Sequence, residues 1–276
     1  MNADSSSPSG AEDGPEAFVS RLGAELESSD VRPIVFVLGS GLSNAIIPGV
    51  GRMTTAGMDF LGRRSPDAVL RIVEEFADAG TDPNTAALRY ERVLSSLDSY
   101  VGPEYVKGFV QELTLSAYAA VSPGAHGVLA GRRRRYDPLE IAACGILEND
   151  IEGWQLPRGI RALGVLAAQH PERFSRAITT NFDPLLEIAV RRAHRASLTV
   201  SFDKDGSLHP LAPSPVFAVG HLHGYWDGGT YTLHTGRRLK QPRPQLVGSL
   251  KDLMSGALVV VMGYGGWNDV FSALRG

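Results

Sequence analysis

Apolar positions recur along this chain at two spacings, and the change between them divides it. Residues 16–30 place Phe18, Val19, Leu22 and Leu26 at helical intervals, which predicts a helix there. Next comes a short continuous run, Pro33-Ile-Val-Phe-Val-Leu38, whose length and β-branching predict a buried strand with proline at its first position. Over about 60–150 the pattern is helical: Leu70, Ile72, Val73, Phe76, Leu88, Tyr90, Val93 and Leu97 recur at helix-like intervals between Pro83, Pro103, Pro123 and Pro138. Residues 158–170 predict another helix. The short strand pattern then returns at Ala177–Thr180, Leu198–Ser201, Val216–Val219 and Ala257–Met262, with a helix predicted over Leu185–Ala196. No internal repeat is present.

At least four of these strands run into a polar or glycine-rich corner, with helices between several of them. That is the pattern of an α/β chain built on an open, mostly parallel sheet flanked by helices, here with a helical insertion or subdomain over about 60–150. Ligands of such sheets sit at the carboxyl ends of the strands. The corners Gly39–Ser43, Asn181–Asp183, His223–Gly224 and Gly263–Asp269 are therefore expected to meet in one crevice.

Composition narrows the class. The chain has 276 residues, 43% hydrophobic and 21% charged, a globular balance that excludes wholesale disorder or a coiled-coil rod. Its single cysteine, Cys144, makes no internal disulfide and no cysteine-based zinc site. The polar, acidic start MNADSSSPSG is not a secretory signal, and the longest apolar runs are far short of a membrane span. A soluble cytoplasmic protein is expected, with residues 1–15 a disordered tail and one domain over 16–276. The net charge of −3 offers no general attraction to nucleic acid. Seven acids against Arg21 alone fall within residues 1–30, and the one basic run is Arg132–Arg135.

Several corner residues are candidates for chemistry. Gly39-Ser40-Gly41 after a strand fits a phosphate-cradling loop, because glycine lets backbone N–H groups approach a diphosphate. It fits an ordinary tight turn as well: the third glycine of a dinucleotide fingerprint is replaced by Asn44. His221 and His223 flank Leu222 and, at strand periodicity, share a face. A metal there would lack a nearby carboxylate or cysteine set, so none is expected. Asp183 suits a helix cap ahead of Pro184. Asn181 is harder to explain structurally, because strands disfavour asparagine.

Together the corners Gly39-Ser-Gly-Leu-Ser43, Thr179-Thr-Asn-Phe-Asp183, His221-Leu-His-Gly224 and Gly263-Tyr-Gly-Gly266 resemble, in order, those of the sirtuin superfamily. The resemblance covers about residues 33–271 and implies a Rossmann-like NAD-binding catalytic domain. The Thr-Thr-Asn-Phe-Asp form is similar to the sirtuin-like effector domains of bacterial anti-phage systems, which hydrolyse NAD and drain the infected cell in abortive infection. Deacylase sirtuins carry a four-cysteine zinc ribbon and a Gly-Ile-Pro-Asp-Phe-Arg stretch. This chain has one cysteine, and its Ile46-Ile-Pro-Gly-Val-Gly-Arg52 keeps the proline and an arginine but not the aromatic residue.

The resemblance implies an NAD hydrolase releasing nicotinamide and ADP-ribose, with NAD as substrate and no metal. By it, Asn181 orients the ribose hydroxyls or water, Asp183 engages the nicotinamide carboxamide and His223 is the general base. Gly39, Ser40, Gly41 and Ser43 hold the diphosphate, and Gly263, Tyr264 and Gly265 line the ribose–adenine side. Trp267 is expected in the core or stacked on adenine, and Asn268 and Asp269 as caps of a following helix. Rival expectations are an NAD-dependent protein deacylase and a non-catalytic sensor of NAD or an ADP-ribose derivative. The sequence stops a few residues into that last expected helix. It therefore reads as an effector domain cut from a longer chain, with a homo-oligomer and a sensor or NTPase region, in the same chain or a partner, as expected associates.

Overall fold

A computed structural model describes residues 15–28, 32–77, 83–132, 134–202, 204–211, 215–228, 241–265 and 271. Residues 1–14 of the expected tail, and Gly266, Trp267, Asn268 and Asp269, lie outside these. The chain divides into two units, Met1–Arg32 and Pro33–Gly276. The first contains helix α1 (Pro15–Glu27), and in it Arg32 pairs with Glu25.

The second unit is an α/β fold around a five-stranded sheet. Its strands are β1 (Ile34–Leu38), β2 (Arg176–Thr179), β3 (Ser197–Ser201), β4 (Phe217–His221) and β5 (Leu258–Met262). They lie in the order β3-β4-β2-β1-β5, and every pairing is parallel. Parallel neighbours need long crossovers, and helices supply them. The crossover from β1 to β2 is by far the longest. It holds α2 (Val50–Gly62), α3 (Pro66–Glu75), α4 (Pro83–Tyr100), α5 (Pro103–Thr114), α6 (Pro123–Gly131), α7 (Ile141–Asn149) and α8 (Arg158–Gln169). Helix α9 (Leu185–Arg192) links β2 to β3, and α10 (Pro244–Met254) precedes β5.

Of the prolines that break the hydrophobic pattern, Pro83, Pro103 and Pro123 mark helix starts, whereas Pro138 lies in the loop before α7. Pro66, Pro103, Pro123 and Pro244 each occupy a first helical position, where the missing N–H costs nothing. Ser122 caps α6 by accepting from the Ala125 N–H at 3.2 Å.

Every residue of β1 and of β4 is buried, and all of β2 but Arg176. This explains their unbroken apolar runs, since both sheet faces are covered. On one face Val35, Ile178 and Ala218 pack with Phe202, Leu208, Leu211, Leu246 and Leu250. A separate core joins the helical crossover to α9 through Val93, Leu94, Leu97, Phe109, Trp154, Leu185 and Ile188. Cys144, Trp154 and Trp226 are buried in that core.

At the carboxyl ends of β1 and β5 the two backbones touch. Gly39 N–H donates to Met262 O at 3.0 Å, and Gly41 N–H donates to Gly263 O at 2.9 Å. A Cβ on Gly39 would lie 2.5 Å from Gly263 O, and one on Gly263 would lie 2.7 Å from Leu42 N. Gly263 also has φ +63, in the left-handed region. Gly256 shares that conformation (φ +72) with no atom within 4 Å of an added Cβ. Gly256→Ala is therefore expected to cost about 1–2 kcal/mol from conformation alone. Gly263→Ala should cost clearly more, because backbone on both sides must also shift. Urea unfolding midpoints of the two variants check this, and equal midpoints would contradict it.

Candidate functional site

The corners after β1, β2, β4 and β5 do converge. They border a cavity of about 660 Å³, part of it open to solvent, together with Ile47, Pro48, Val50, Met53 and Tyr90 from the helical crossover. Of the residues singled out in the sequence, Ser40, Ser43, Asn181, Asp183, His223, Tyr264 and Gly265 line it. Gly39, Gly41 and Gly263 are not among the lining residues.

The β1 corner differs from a phosphate loop in one respect. No α-helix follows directly. A single 3-10 turn, Ser40–Leu42, comes first, and α2 starts only at Val50. The N–H groups of Gly39 and Gly41 are used by the β5 corner, and those of Leu42 and Ser43 by Gly39 O and Ser40 O within the turn. These glycines permit the close approach of two corners, while Ser40 and Ser43 face the cavity.

Asn181 stands at the centre. Its Nδ2 donates to Gly39 O at 3.3 Å and to Ser43 Oγ at 3.2 Å, and its backbone N–H donates to Thr179 Oγ1 at 3.0 Å. A carbonyl only accepts, so the contact with Gly39 O fixes which end of the amide is nitrogen. Its Oδ1 is buried and has no hydrogen-bond partner among the described residues. A buried acceptor left unmet costs about 1–3 kcal/mol, and here it belongs to a residue in the wall of a cavity.

Asp183 is buried beside it. Its Oδ1 accepts from the Leu185 N–H at 3.2 Å, and it also hydrogen-bonds Ser43. Pro184 itself holds the N-cap position of α9, so Asp183 sits one residue before the expected cap and holds the Leu185 N–H from there while lining the cavity. Burial raises the Asp183 carboxyl to about 6, against the lowering effect of the Leu185 N–H and of His221.

The two histidines do not share a face. Strand periodicity ends at His221, and the turn at Leu222–His223 carries His223 to the cavity wall. His221 is completely buried, with Nδ1 2.7 Å from the Asn181 backbone O and Nε2 2.7 Å from Glu187 Oε1. Burial opposes charge on His221, but the Glu187 carboxylate and the Asn181 carbonyl together lift its pKa above the usual histidine value. Thr199 Oγ1 donates to Glu187 Oε1 at 3.1 Å. Behind them, Tyr225 OH and Trp226 Nε1 donate to Glu148 Oε1 at 2.9 and 2.7 Å.

Glu187, Glu148 and Tyr90 were not singled out in the sequence. Glu187 has a visible signal: it is the one acid in Leu185–Val190, an otherwise apolar run of buried residues. Tyr90 has none, because only the folding back of the crossover brings it to the cavity. A carboxylate does stand beside His221, contrary to the reading of the histidine pair. Among the described residues, though, no group of three or more His, Cys, Asp or Glu could hold a metal ion. Among them, too, no helix is long and apolar enough to cross a membrane.

Residues 175–275 match the family model described as a SIR2-like domain. The match begins just before β2 and takes in the Asn181, Asp183, His223 and Gly263 corners. The β1 corner and helices α2–α8 lie outside it. No curated protein matches the chain.

The raised Asp183 value has a consequence for stability. The folded state holds this proton more tightly than the unfolded chain, whose aspartate titrates near 3.8. The group therefore favours folding most below about 4, and that contribution is lost as pH rises through about 6. The difference corresponds to on the order of 3 kcal/mol. Asp183→Asn should flatten this dependence, gaining on the wild type as pH rises from 4 to 7. Unfolding midpoints of both proteins across that range measure it; parallel profiles would contradict the assignment.

Proposed function

We propose that this chain binds NAD in the cavity at the carboxyl ends of β1, β2, β4 and β5 and hydrolyses it to nicotinamide and ADP-ribose. The observation that carries this reading is the buried Oδ1 of Asn181, which has no hydrogen-bond partner among the described residues and is fixed as an acceptor by the two bonds of its own Nδ2. A ribose hydroxyl or a water molecule supplies the missing donor. The SIR2-like match over the β2, β4 and β5 corners supports NAD as the substrate class.

The chemistry asks little of an acid. The bond between C1′ of the ribose and the pyridinium nitrogen breaks with its electron pair moving onto nitrogen, so nicotinamide leaves neutral. C1′ becomes oxocarbenium-like, water adds its oxygen there, and one proton is released. What the protein must supply is orientation and electrostatic support. In this reading Asn181 Oδ1 orients the water or ribose hydroxyl. His223, in the cavity wall, takes the proton as general base. Asp183 accepts from the carboxamide of nicotinamide, whose ring lies against the apolar wall of Ile47, Pro48, Val50 and Met53. Ser40 and Ser43 meet the diphosphate at a corner that Gly39, Gly41 and Gly263 shape, and Tyr264 and Gly265 face the ribose–adenine side.

We read the activity as that of a cytoplasmic effector that depletes NAD in bacterial anti-phage defence. In this view it acts as a homo-oligomer under a sensor or NTPase region.

The test is chromatography of NAD incubated with the protein. Equal amounts of nicotinamide and ADP-ribose are expected. His223→Ala should lose roughly 10²–10⁴ in rate, and Asn181→Ala at least as much. Full activity in both variants would overturn the assignment. An added acetyl-lysine peptide should stay acetylated; its NAD-dependent deacetylation would make the protein a deacylase, and NAD binding without turnover would make it a sensor.

A further inference from the structure

Beneath the cavity lies a charged pair that the proposed reaction does not use. His221 and Glu187 come from different elements, the end of β4 and the first turn of α9, and both side chains are about 1% exposed. Burying such a pair is poor for stability, since the cost of removing two charges from water rivals their attraction. Its use must lie in what it holds.

It holds the Asn181 peptide. The Asn181 carbonyl can only accept, so His221 Nδ1 carries a hydrogen and donates to it at 2.7 Å. Nε2, 2.7 Å from Glu187 Oε1, shares a second proton with that carboxylate, which Thr199 steadies from β3. The Tyr225 ring packs edge-on against the imidazole at 4.7 Å between centroids. Neighbouring backbone groups are pinned as well: Asn181 N–H by Thr179 Oγ1, and Phe182 O by the Trp226 N–H at 3.0 Å. The pair also sits close in sequence to the residues in the cavity wall. His221 is two residues before His223, and Glu187 is one helical turn after Asp183.

We infer that the buried Glu187–His221 pair is the positioning element of this site, fixing the Asn181–Phe182 peptide and through it the aim of the Asn181 and Asp183 side chains. Its effect on turnover rests on the NAD-hydrolase reading; its effect on the peptide does not. Neither residue lines the cavity, so both act through others.

The experiment compares the wild-type chain with His221→Leu, which removes both bonds, and His221→Asn, which keeps a donor near the Nδ1 position. Hydrogen exchange of residues 179–185 is read first. His221→Leu should exchange there at least about tenfold faster, with protection elsewhere in the sheet unchanged, and His221→Asn should return it to within about threefold of wild type. NAD affinity and turnover are read second. A small displacement of a reacting group costs up to about 10²-fold in rate. His221→Leu should therefore lower kcat at least about tenfold while the dissociation constant of NAD moves less than about threefold, and His221→Asn should recover most of it.

Unchanged exchange in His221→Leu, or a His221→Asn variant no better than His221→Leu, overturns the inference. So does a loss of NAD binding in step with kcat. If His221→Leu does not fold, His221→Asn decides alone: exchange and kcat near wild type are expected, and a loss of more than about tenfold in either overturns it. A wild-type chain that does not cleave NAD overturns the hydrolase reading, and the exchange pattern then decides the positioning role by itself.

Discussion

The side-chain amide of Asn181 joins two strands that meet at the cavity. Its nitrogen ties the β2 corner to the β1 corner through Gly39 O and Ser43 Oγ, and the same two bonds leave its oxygen buried as an acceptor with no partner among the described residues. Few side chains can do both. A carboxylate could not donate to Gly39 O, a hydroxyl would be too short, and an apolar residue would do neither. The contact between the β1 and β5 corners makes this possible. Because Gly39 and Gly263 lie backbone to backbone, Gly39 O is held where the amide reaches it.

The rest of the fold serves that arrangement. An all-parallel sheet brings its carboxyl ends to one edge, so corners more than 200 residues apart in sequence, at Gly39 and Gly263, become neighbours. The helical crossover supplies an apolar part of the wall, including Met53 and Tyr90. Under the cavity, Glu187 and Glu148 sit at the centre of hydrogen bonds from His221, Thr199, Tyr225 and Trp226. A buried polar network of this kind fixes one arrangement of the loops above it, because other arrangements leave charges unmet.

Much of this was legible in the sequence. The strands could be read from short apolar runs, continuous in β1, which is buried throughout, and in β5, where only Val260 is buried, and the runs of β1, β2 and β5 end in residues strands disfavour: Gly39, Asn181 and Gly263. The corners could be paired because parallel topology leaves one edge for them. What escaped was set by neighbours distant in sequence. The Gly39 and Gly41 N–H groups pass for phosphate donors until β5 is seen to take them. His221 and His223 pass for a pair on one face, and only the turn after β4 separates them. Glu187 is an acid in an apolar helix, but its partner lies 34 residues on. Tyr90 reaches the cavity through the packing of α4 on α2, which helical periodicity does not specify.

The measurement that tests the account most directly is the turnover of NAD by Asn181→Asp beside the wild-type chain. Aspartate keeps the size of the side chain and an acceptor, but it removes the nitrogen that anchors the amide to Gly39 O and Ser43. The variant is expected to fold, with turnover at least about 100-fold below that of an active wild type. Wild-type turnover by the aspartate variant would show that the amide does not organise the site, and a wild-type chain that neither binds nor cleaves NAD would contradict the account as a whole.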